Sequence, residues 1–303
     1  MISKAKPSDK LEIYHSWKSL FAFDDYGSID FFFANYYDKG ETYVIKKDDH
    51  IVSSVCVFEH PIHLMDKVIQ VSYLVGIYTI EKYQNQGYMR KLLEGVLRIN
   101  DANTLMSILM AYNPELYQSF KFEPFIDHQI VQLSKSMIPA VSTMNITYQV
   151  DSEQLLENYK RFMRYFDGYK VRTAQDFDML KKDLQAQNGK LVGYVKDDEL
   201  LGYMMYVIHD YHVEILEIVY FDVDMLMRLL YFAANISQNI KVHISTQENW
   251  KKLFPRATIE TQTFIHGRIN DISLFNDLYE LNIQGVSDLL RLVKKPLFFN
   301  EFQ

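Results

Sequence analysis

The spacing of apolar and polar residues changes sharply along Val71–Asn100. Val71–Ile80 is a nearly continuous run of β-branched, aromatic and other apolar residues, with the length of a strand. Glu81–Gly87 is polar and ends in a glycine. From Met89 to Ile99 the apolar residues recur every three or four positions, as on one face of an α-helix. The pattern predicts a strand, a loop and a helix in succession.

Similar spacing predicts the elements on either side of this segment. A polar turn at Lys47–His50 separates two runs of strand length and predicts a hairpin. In chain order the predicted elements of the first half are helices Lys10–Phe21 and Ser28–Tyr37, hairpin strands Glu41–Lys46 and Ile51–Phe58, the central strand, loop and helix, strand Thr104–Ala111, a short helix from Asn113-Pro114 and strand Ile126–Leu133. A helix between two strands implies a parallel crossover, and the expected class is therefore α/β with a mixed sheet.

The second half repeats this order. Val44–Phe58 and Gly193–Val207 have the same length and share Lys-Asp-Asp at the hairpin turn. The predicted elements are a helix opened by a capping box at Thr173, hairpin strands Leu191–Val195 and Leu200–Ile208, strand Val213–Tyr220, helix Asp224–Ser237, strand Ile240–Ser245 and a short helix Gln247–Phe254. We therefore predict two tandem domains, residues 1–145 and 146–262, and a short C-terminal extension, residues 263–303, that docks on them.

The loop before the central helix is predicted to bind an anion. Amide groups at a helix N-terminus lack intrahelical partners, and Gly87 permits close approach of a phosphate. Arg90 and Lys91 add positive charge in the first turn. The loop has neither the Walker pattern nor the three-glycine dinucleotide pattern, so an ordinary strand–turn–helix remains the alternative at this stage. The corresponding corner of the second half, Phe221-Asp222-Val223, has no glycine and is acidic, and we expect no phosphate there.

Composition limits the partners. The 303 residues carry a net charge of -7, which disfavours binding to a nucleic-acid backbone and suits a cationic substrate. No apolar run is long enough to span a bilayer, and the N-terminus lacks the apolar core of a secretory signal. The expected protein is cytoplasmic, with no nucleic-acid or membrane partner, while self-association into a homo-oligomer stays open.

Two segments resemble the GNAT family of acetyl-CoA-dependent N-acetyltransferases. Gln84–Met89 is similar to the Gln/Arg-x-x-Gly-x-Gly/Ala loop of that family, and Asn113–Glu123 is similar to its Pro…Tyr…Phe-Gly-Phe-Glu segment. Two copies with the loop in the first alone resemble bacterial tandem GNAT proteins of the Eis type, with a shortened C-terminus. The resemblance implies two tandem GNAT-like mixed sheets flanked by helices.

The resemblance also implies a site. Acetyl-CoA would be held by backbone groups of the loop and the end of the central strand, with the N–H of Ile77 or Tyr78 facing the oxyanion. The implied acetyl-CoA contacts are Ile77, Tyr78, Thr79, Gln84, Asn85, Gln86, Gly87, Tyr88, Met89, Arg90 and Asn113. Tyr117 would be the general acid, and the carboxylate of Gln303 could face the reaction. Asp24 and Asp25 are assigned to the substrate, with Glu59 and Glu81 as other acidic candidates for the base. Lys121 stands where the family has a glycine.

The predicted function is acetyl transfer from acetyl-CoA to a primary amine by direct attack in a ternary complex. The acceptor can be a small molecule, an aminoglycoside-like polyamine or a peptide amine. The alternative is a non-catalytic acyl-CoA-binding or assembly module. No metal is expected, since His60–His63 contains a proline and His209–Glu214 falls across a predicted turn.

Overall fold

The computed structural model describes residues 1–301, with the backbone alone for Asp24, and divides into two compact units. Unit 1 comprises Met1–Ile126, Phe264–Val293 and Glu301. Unit 2 comprises Asp127–Thr263 and Lys294–Asn300. Both units combine a mixed β-sheet with helices, so the predicted α/β class is confirmed.

Unit 1 begins with two helices and continues with a sheet. Its elements in chain order are β1 (Ile2–Lys4), α1 (Lys10–Leu20), α2 (Ser28–Asn35), β2 (Glu41–Lys47), β3 (His50–Leu64), β4 (Lys67–Thr79), α3 (Tyr88–Asn103), β5 (Met106–Leu109) and α4 (Glu115–Gln118). The strands are ordered β1-β2-β3-β4-β5, and β4 and β5 run parallel as the helical crossover predicts.

The sheet of unit 1 has helices on both faces because its side chains alternate. One face of β2 and β3, including Tyr43 and Val55, packs with Leu92, Leu93 and Val96 of α3. The opposite face packs with α1 and α2. The buried residues on that side are Ile13, Trp17, Ile29, Phe32, Phe33, Tyr37, Val44, Ile51, Cys56 and Tyr78. The period of 2 in the strands and 3.6 in α3 therefore fix which helix lies on which face.

Unit 2 has the same kinds of element. They are β6 (Glu123–Ser134, in unit 2 from Asp127), β7 (Ile146–Thr147), α5 (Ser152–Met163), β8 (Tyr169–Lys170), α6 (Ala174–Ala186), β9 (Gly189–Lys196), β10 (Glu199–Ile208), β11 (Val213–Val219), α7 (Val223–Ile236), β12 (Asn239–Ser245) and α8 (Trp250–Leu253). The strand order is β6-β12-β11-β10-β9-β7, with β11 and β12 parallel. Helix α7 packs on one face, and α5 and α6 pack on the other.

The two Lys-Asp-Asp hairpins have the same backbone geometry. Asp48 and Asp49 have φ of 52° and 63°, and Asp197 and Asp198 have the same two values. Positive φ at both central residues is the geometry of a type I′ turn. The β2–β3 register shifts at Val52, and the β9–β10 register shifts at the corresponding position.

Three segments differ from the sequence-based expectation. Strands β3 and β4 continue as a hairpin through Pro61, which pairs with Gln70 beyond the last β2 partner of β3. Helix α5 was not predicted, although Asp151 caps it by accepting hydrogen bonds from the amides of Glu153 and Gln154. Helix α4 begins at Glu115, and no side chain caps it among the described residues.

Residues after 257 form β13 (Thr258–Ile269), α9 (Ile272–Tyr279) and α10 (Val286–Leu290). In unit 1, β13 pairs with β5 between His266 and Ile269, and the Glu123 carboxylate accepts hydrogen bonds from the amides at the start of α10. In unit 2, Phe298 is buried in the core. The domain boundaries at residues 145 and 262 stay a prediction. No helix within residues 1–301 is both long and apolar enough to cross a bilayer.

Candidate active site

The loop between β4 and α3 leaves a row of backbone amides open. Asn85 and Gly87 have φ of 59° and 80°, in the left-handed region, and Gly87 occupies the N-cap position of α3 without a side-chain cap. The first amide inside α3 to find a backbone acceptor is that of Lys91, which donates to the Gly87 carbonyl at 3.0 Å. Successive amides in such a loop form a concave anion site, strengthened by the positive end of the helix dipole.

Two glutamine side chains brace this loop from outside. The Gln84 side-chain amide donates to the carbonyl of Thr79 at 3.2 Å, and that of Gln86 donates to the carbonyl of Lys82 at 2.9 Å. The backbone amide of Gln84 donates to Glu81 at 3.0 Å. Within residues 1–301 the amides from Asn85 to Arg90 have no acceptor, so the open row begins one residue later than the sequence suggested.

The corresponding end of α7 in unit 2 is closed. Asp222 is the N-cap of α7, and its carboxylate accepts a hydrogen bond from the amide of Met225 at 2.8 Å. Asp224 adds a second negative charge in the first turn. The amides that are open in α3 are thus partly satisfied in α7, and the Asp222 carboxylate disfavours an anion, while Asp224 is ion-paired with Arg228 at 2.7 Å.

Strand β4 is interrupted by a bulge where it leaves β5. The parallel pairing ends at Leu74 with Leu109, and Gly76 and Ile77 together lie opposite Val55 of β3. Gly76 has φ of 58°, and a Cβ built there would lie 1.7 Å from Cζ2 of Trp17. Glycine is therefore needed both for its backbone conformation and for space. Beyond the bulge, β4 has no β5 partner, which exposes an edge for an extended ligand.

Tyr117 lies in α4 against the core of unit 1. It is 8% exposed, and burial raises the pKa of its hydroxyl to about 12. Its ring meets that of Phe122 edge to face, with centroids 6.2 Å apart. The phenol therefore keeps its proton at neutral pH and can donate it in a hydrogen bond.

Lys121 has a left-handed backbone conformation, which favours glycine. Its φ is 65°, and its amide donates to the carbonyl of Gln118 at 2.9 Å. The turn after Tyr117 therefore closes with a lysine, which costs about 1 kcal/mol relative to an unstrained residue. Met89 stands where the family loop has Gly or Ala, and it packs against the core of unit 1, which is the placement that accommodates a bulky residue there.

Two cavities meet between the bulge and Tyr117. The large cavity, of about 650 Å³, is lined by Ile77–Thr79 and by most of the Gln84–Arg90 loop. The small cavity, of about 190 Å³, is lined by Trp17, Gly76 and neighbouring residues. Phe21, Ile77 and Tyr117 line both. A ligand extending from the loop along β4 would thus place its far end beside Tyr117.

The other predicted site residues lie elsewhere or cannot be placed. The Asp25 carboxylate binds Lys18 at 2.5 Å and accepts hydrogen bonds from the amides of Gly27 and Ile29, and it lines neither cavity. Asn113 is exposed and lines neither cavity. The side chain of Asp24 and the whole of Gln303 lie outside the described residues. Their assignments to the substrate, the cofactor and catalysis stay predictions.

Several residues at the cavities were not predicted from the sequence. Trp17, Tyr73 and Tyr112 line the small cavity, and Gly76 forms the bulge. A glycine inside a strand-like run is a recognised sign of a bulge and could have indicated that position. Burial, followed by the nearby charge of Glu301, raises the pKa of Tyr73 above its ordinary range. Trp17, Tyr73 and Tyr112 come together through contacts between segments that are distant in sequence, so no local sequence pattern predicts that they line one cavity.

A histidine cluster in unit 2 contains atoms that can bind a metal. Ligand atoms of His209, His212 and Glu214 lie within 4.8 Å of one another. Glu214 also binds His243 at 2.6 Å and Lys241 at 2.8 Å. Burial alone would raise the pKa of Glu214, but these two partners outweigh it and lower the pKa well below the usual range. An ion pair with Lys241 competes with any metal, and the expectation of a metal-free protein stays a prediction.

Comparison with known proteins agrees with this geometry. Residues 1–125 match the family model described as the acetyltransferase (GNAT) domain. None of the curated proteins matches the chain by sequence. The GNAT loop and the Tyr117 turn both lie within the matched range. The part of the chain that contains the β4–α3 loop and Tyr117 therefore matches a GNAT acetyltransferase domain.

Solved structures resemble the chain in fold. A probable N-acyltransferase of unknown function from Enterococcus faecalis V583 is 14% identical, with a TM-score of 0.75 over 91% of this chain and 74% of that chain. A GCN5-related N-acetyltransferase from Anabaena variabilis is 15% identical, with a TM-score of 0.75 over 90% of this chain and 73% of that chain. Eis1 from Mycobacterium abscessus is 12% identical, with a TM-score of 0.66 over 90% and 75% of the two chains. The fold is thus that of GNAT proteins, including one of the Eis type.

Proposed function

We propose that this protein transfers the acetyl group of acetyl-CoA to a primary amine by direct attack in a ternary complex. The observation that carries the proposal is the junction of the two cavities at Ile77 and Tyr117. One cavity ends at open helix amides that suit a diphosphate, and the other is a separate chamber for the acceptor.

Acetyl-CoA would enter through the large cavity. The diphosphate would accept hydrogen bonds from the amides between Asn85 and Arg90, and the Arg90 side chain, which lines the cavity, would add positive charge. The pantetheine arm would lie along Ile77–Thr79, where β4 has left β5, and would pair with the strand edge. This arrangement directs the thioester toward the bulge.

The chemical step exchanges one acyl bond for another. The amine nitrogen attacks the thioester carbonyl carbon, and the carbonyl oxygen becomes an oxyanion facing the N–H of Ile77 or Tyr78 at the bulge. The intermediate collapses as the C–S bond breaks, and the sulfur leaves with the electron pair. The products are the N-acetyl amine and CoA with a free thiol.

Two protons move in this step. Tyr117 would give its proton to the departing sulfur, and the acetylated nitrogen would lose one. A phenol with a pKa of about 12 is a weaker acid than an ordinary thiol with a pKa of about 8.5. Transfer from Tyr117 to the thiolate is therefore unfavourable by itself. It becomes favourable overall when the protonated nitrogen of the tetrahedral intermediate returns a proton to the phenolate. The acceptor must arrive as a neutral amine, having lost its ammonium proton to water or to a nearby carboxylate.

We further propose that unit 2 is a second GNAT-like copy that does not bind CoA. The matching hairpin geometry at Asp48 and Asp197 supports a duplication, and the Asp222 cap of α7 supports the loss of the anion site. The proposed domains are residues 1–145 and 146–262, followed by the extension 263–303.

Calorimetry and thiol release test this function. Acetyl-CoA should bind the full chain, and addition of an accepted amine should release CoA thiol. Tyr117→Phe should lower kcat by roughly a hundredfold or more while the Kd for acetyl-CoA stays within twofold. Tyr83→Phe, which removes another hydroxyl from the large cavity, is the matched control and should leave kcat unchanged.

Two results would contradict the proposal. Failure of acetyl-CoA to bind at millimolar concentration would remove the cofactor assignment. Binding without turnover across a broad amine panel, and with no effect of Tyr117→Phe, would instead favour a non-catalytic acyl-CoA-binding module.

A further inference from the structure

The small cavity, which is the proposed acceptor chamber, has a mostly apolar lining. Its walls come from α1, α2, the β4 bulge and the segment after β5. Among the described residues that line it, none is Asp, Glu, Lys, Arg or His, and the polar side chains are one serine and three tyrosines. An acceptor with several ammonium groups would lose water there without gaining ionic partners.

The size of the cavity matches one small apolar group. Its volume of about 190 Å³ is close to the roughly 150 Å³ of an apolar protein cavity that binds benzene. Trp17 and Tyr73, which form part of the wall, are 7% and 1% exposed. A single aromatic ring or a branched alkyl group on a short arm would fill this space, whereas an aminoglycoside-like polyamine is too large for it.

Exposed aromatic side chains lie at the outer side of this chamber. Tyr112 lines the cavity and is 73% exposed, and Phe23 is 68% exposed. Their rings meet edge to face with centroids 5.8 Å apart. Large exposed apolar groups beside a cavity are typical of ligand-binding surfaces. The exposed pair Phe23 and Tyr112 therefore favours apolar groups of a ligand, as the interior of the small cavity does.

The neighbouring carboxylates do not supply a site for several cationic groups. Asp25 is bound to Lys18 and to two backbone amides. Asp30 accepts hydrogen bonds from Tyr14 and Lys18. Glu301 is buried and lines neither cavity.

We infer that the acceptor is a monoamine whose amino group is attached by a short arm to one aromatic or branched apolar group. This assignment rests on the proposed acetyl transfer and specifies the acceptor of that reaction. The apolar group occupies the small cavity between Trp17 and Tyr73, and the amine points back toward Ile77 and Tyr117, where the thioester lies.

A substrate panel tests the assignment on the full chain with acetyl-CoA. The panel consists of phenylethylamine, isopentylamine, spermidine and kanamycin, with thiol release as the readout. We expect kcat/KM for the first two amines to exceed that for the last two by at least about tenfold, since a single methylene in an apolar pocket is worth that much.

Ser28→Asp provides a second test. Ser28 lines the small cavity at the first position of α2, where an acidic residue is compatible with the helix dipole. A carboxylate there should lower kcat/KM for phenylethylamine by about tenfold or more because it must lose water beside an apolar ligand. Ser28→Asn, of equal size and without charge, is the control and should cause a smaller loss. The Kd for acetyl-CoA should stay within twofold in both variants.

The outcomes separate the two levels of inference. Normal acetyl-CoA binding with a preference for spermidine or kanamycin would overturn the acceptor class alone. Faster turnover of hexanoyl-CoA than acetyl-CoA, with competitive inhibition by phenylethylamine, would assign the small cavity to the acyl chain and also overturn it. Absence of acetyl-CoA binding would overturn the proposed function, and with it this assignment.

Discussion

Gly87→Asp should weaken acetyl-CoA binding without unfolding the protein. A Cβ at position 87 would meet no atom within 4 Å, so the substitution introduces no clash. Its costs are the left-handed backbone at φ 80°, about 1 kcal/mol, and the repulsion between a carboxylate and the diphosphate. Two unit charges 4 Å apart repel by about 1 kcal/mol in water and about 4 kcal/mol at an effective dielectric constant of 20. We expect a charge penalty of about 2–3 kcal/mol, or a Kd about 30- to 150-fold higher.

Gly87→Asn isolates this charge. Asparagine has nearly the same shape as aspartate and tolerates the left-handed region, so both variants bear similar backbone strain. Calorimetric titration with acetyl-CoA at about 0.1 M and about 1 M salt should show a gap between the variants that narrows at high salt, as the Debye length falls from about 10 Å to about 3 Å. Thermal unfolding should show Gly87→Asp at least as stable as Gly87→Asn because a negative charge at a helix N-terminus is favourable.

Stability and affinity are therefore expected to move in opposite directions. Equal Kd values for Gly87→Asp and Gly87→Asn at low salt would refute the placement of the diphosphate at this helix end. If both variants also bound acetyl-CoA equally more weakly than the unsubstituted protein, backbone strain and not an anion site would make the glycine necessary.

Three further predictions concern stability. Lys121→Gly should raise the free energy of unfolding by about 0.5 kcal/mol, because relief of the left-handed strain exceeds the added unfolded-state entropy. Lys121→Val should lower the free energy of unfolding, and urea denaturation measures both changes. Burial raises the pKa of Asp183 to about 6, so the cost of ionising its carboxyl in the folded state develops between about pH 4 and about pH 6 and is complete above that. Asp183→Asn should therefore raise the free energy of unfolding by about 1–2 kcal/mol at pH 8 and by much less at pH 4. Burial and the neighbouring His243 lower the pKa of His128 to about 3, although its hydrogen bond to Phe299 acts in the opposite direction. The neutral imidazole therefore contributes its full stability above about pH 6.5. Below that pH the free energy of unfolding should fall by about 1.4 kcal/mol per pH unit. His128→Gln should flatten that part of the stability–pH curve, and an unchanged slope would refute the assignment.

The local spacing of apolar and polar residues was sufficient to predict the helices and turns whose own sequences are distinctive. Leu92, Leu93 and Val96 have helical spacing, and they form the buried face of α3. The Lys-Asp-Asp turns were identified from composition, and both adopt the hairpin geometry. The α/β class and the open amides at the start of α3 are thus encoded within short stretches of chain.

Other elements were missed for identifiable physical reasons. Pro61 argues against a strand interior, yet it lies in β3 past the last residue paired with β2, where the missing N–H breaks no bond to that strand. Helix α5 has both an N-cap at Asp151 and periodic apolar residues, so its own sequence carries the signal of a helix.

The acceptor side of the site could not be predicted in this way. Trp17 reaches Gly76 only because α1 packs on the sheet at the bulge, and neither residue's surroundings are visible in its own segment. Asp25 has the charge expected of a substrate contact, but its neighbours Gly27 and Ile29 provide amides that engage it locally. Whether such a carboxylate binds nearby amides or a ligand depends on how the chain packs around it, and residue type alone does not predict the outcome.

The contact between Gly76 and Trp17 limits how the enzyme's specificity can be changed by directed evolution. Any side chain at position 76 displaces the indole, and a smaller residue at position 17 opens room that glycine alone does not fill. The two positions should therefore show strong epistasis: single replacements fail, whereas paired libraries that vary both together yield active variants with reshaped acceptor chambers.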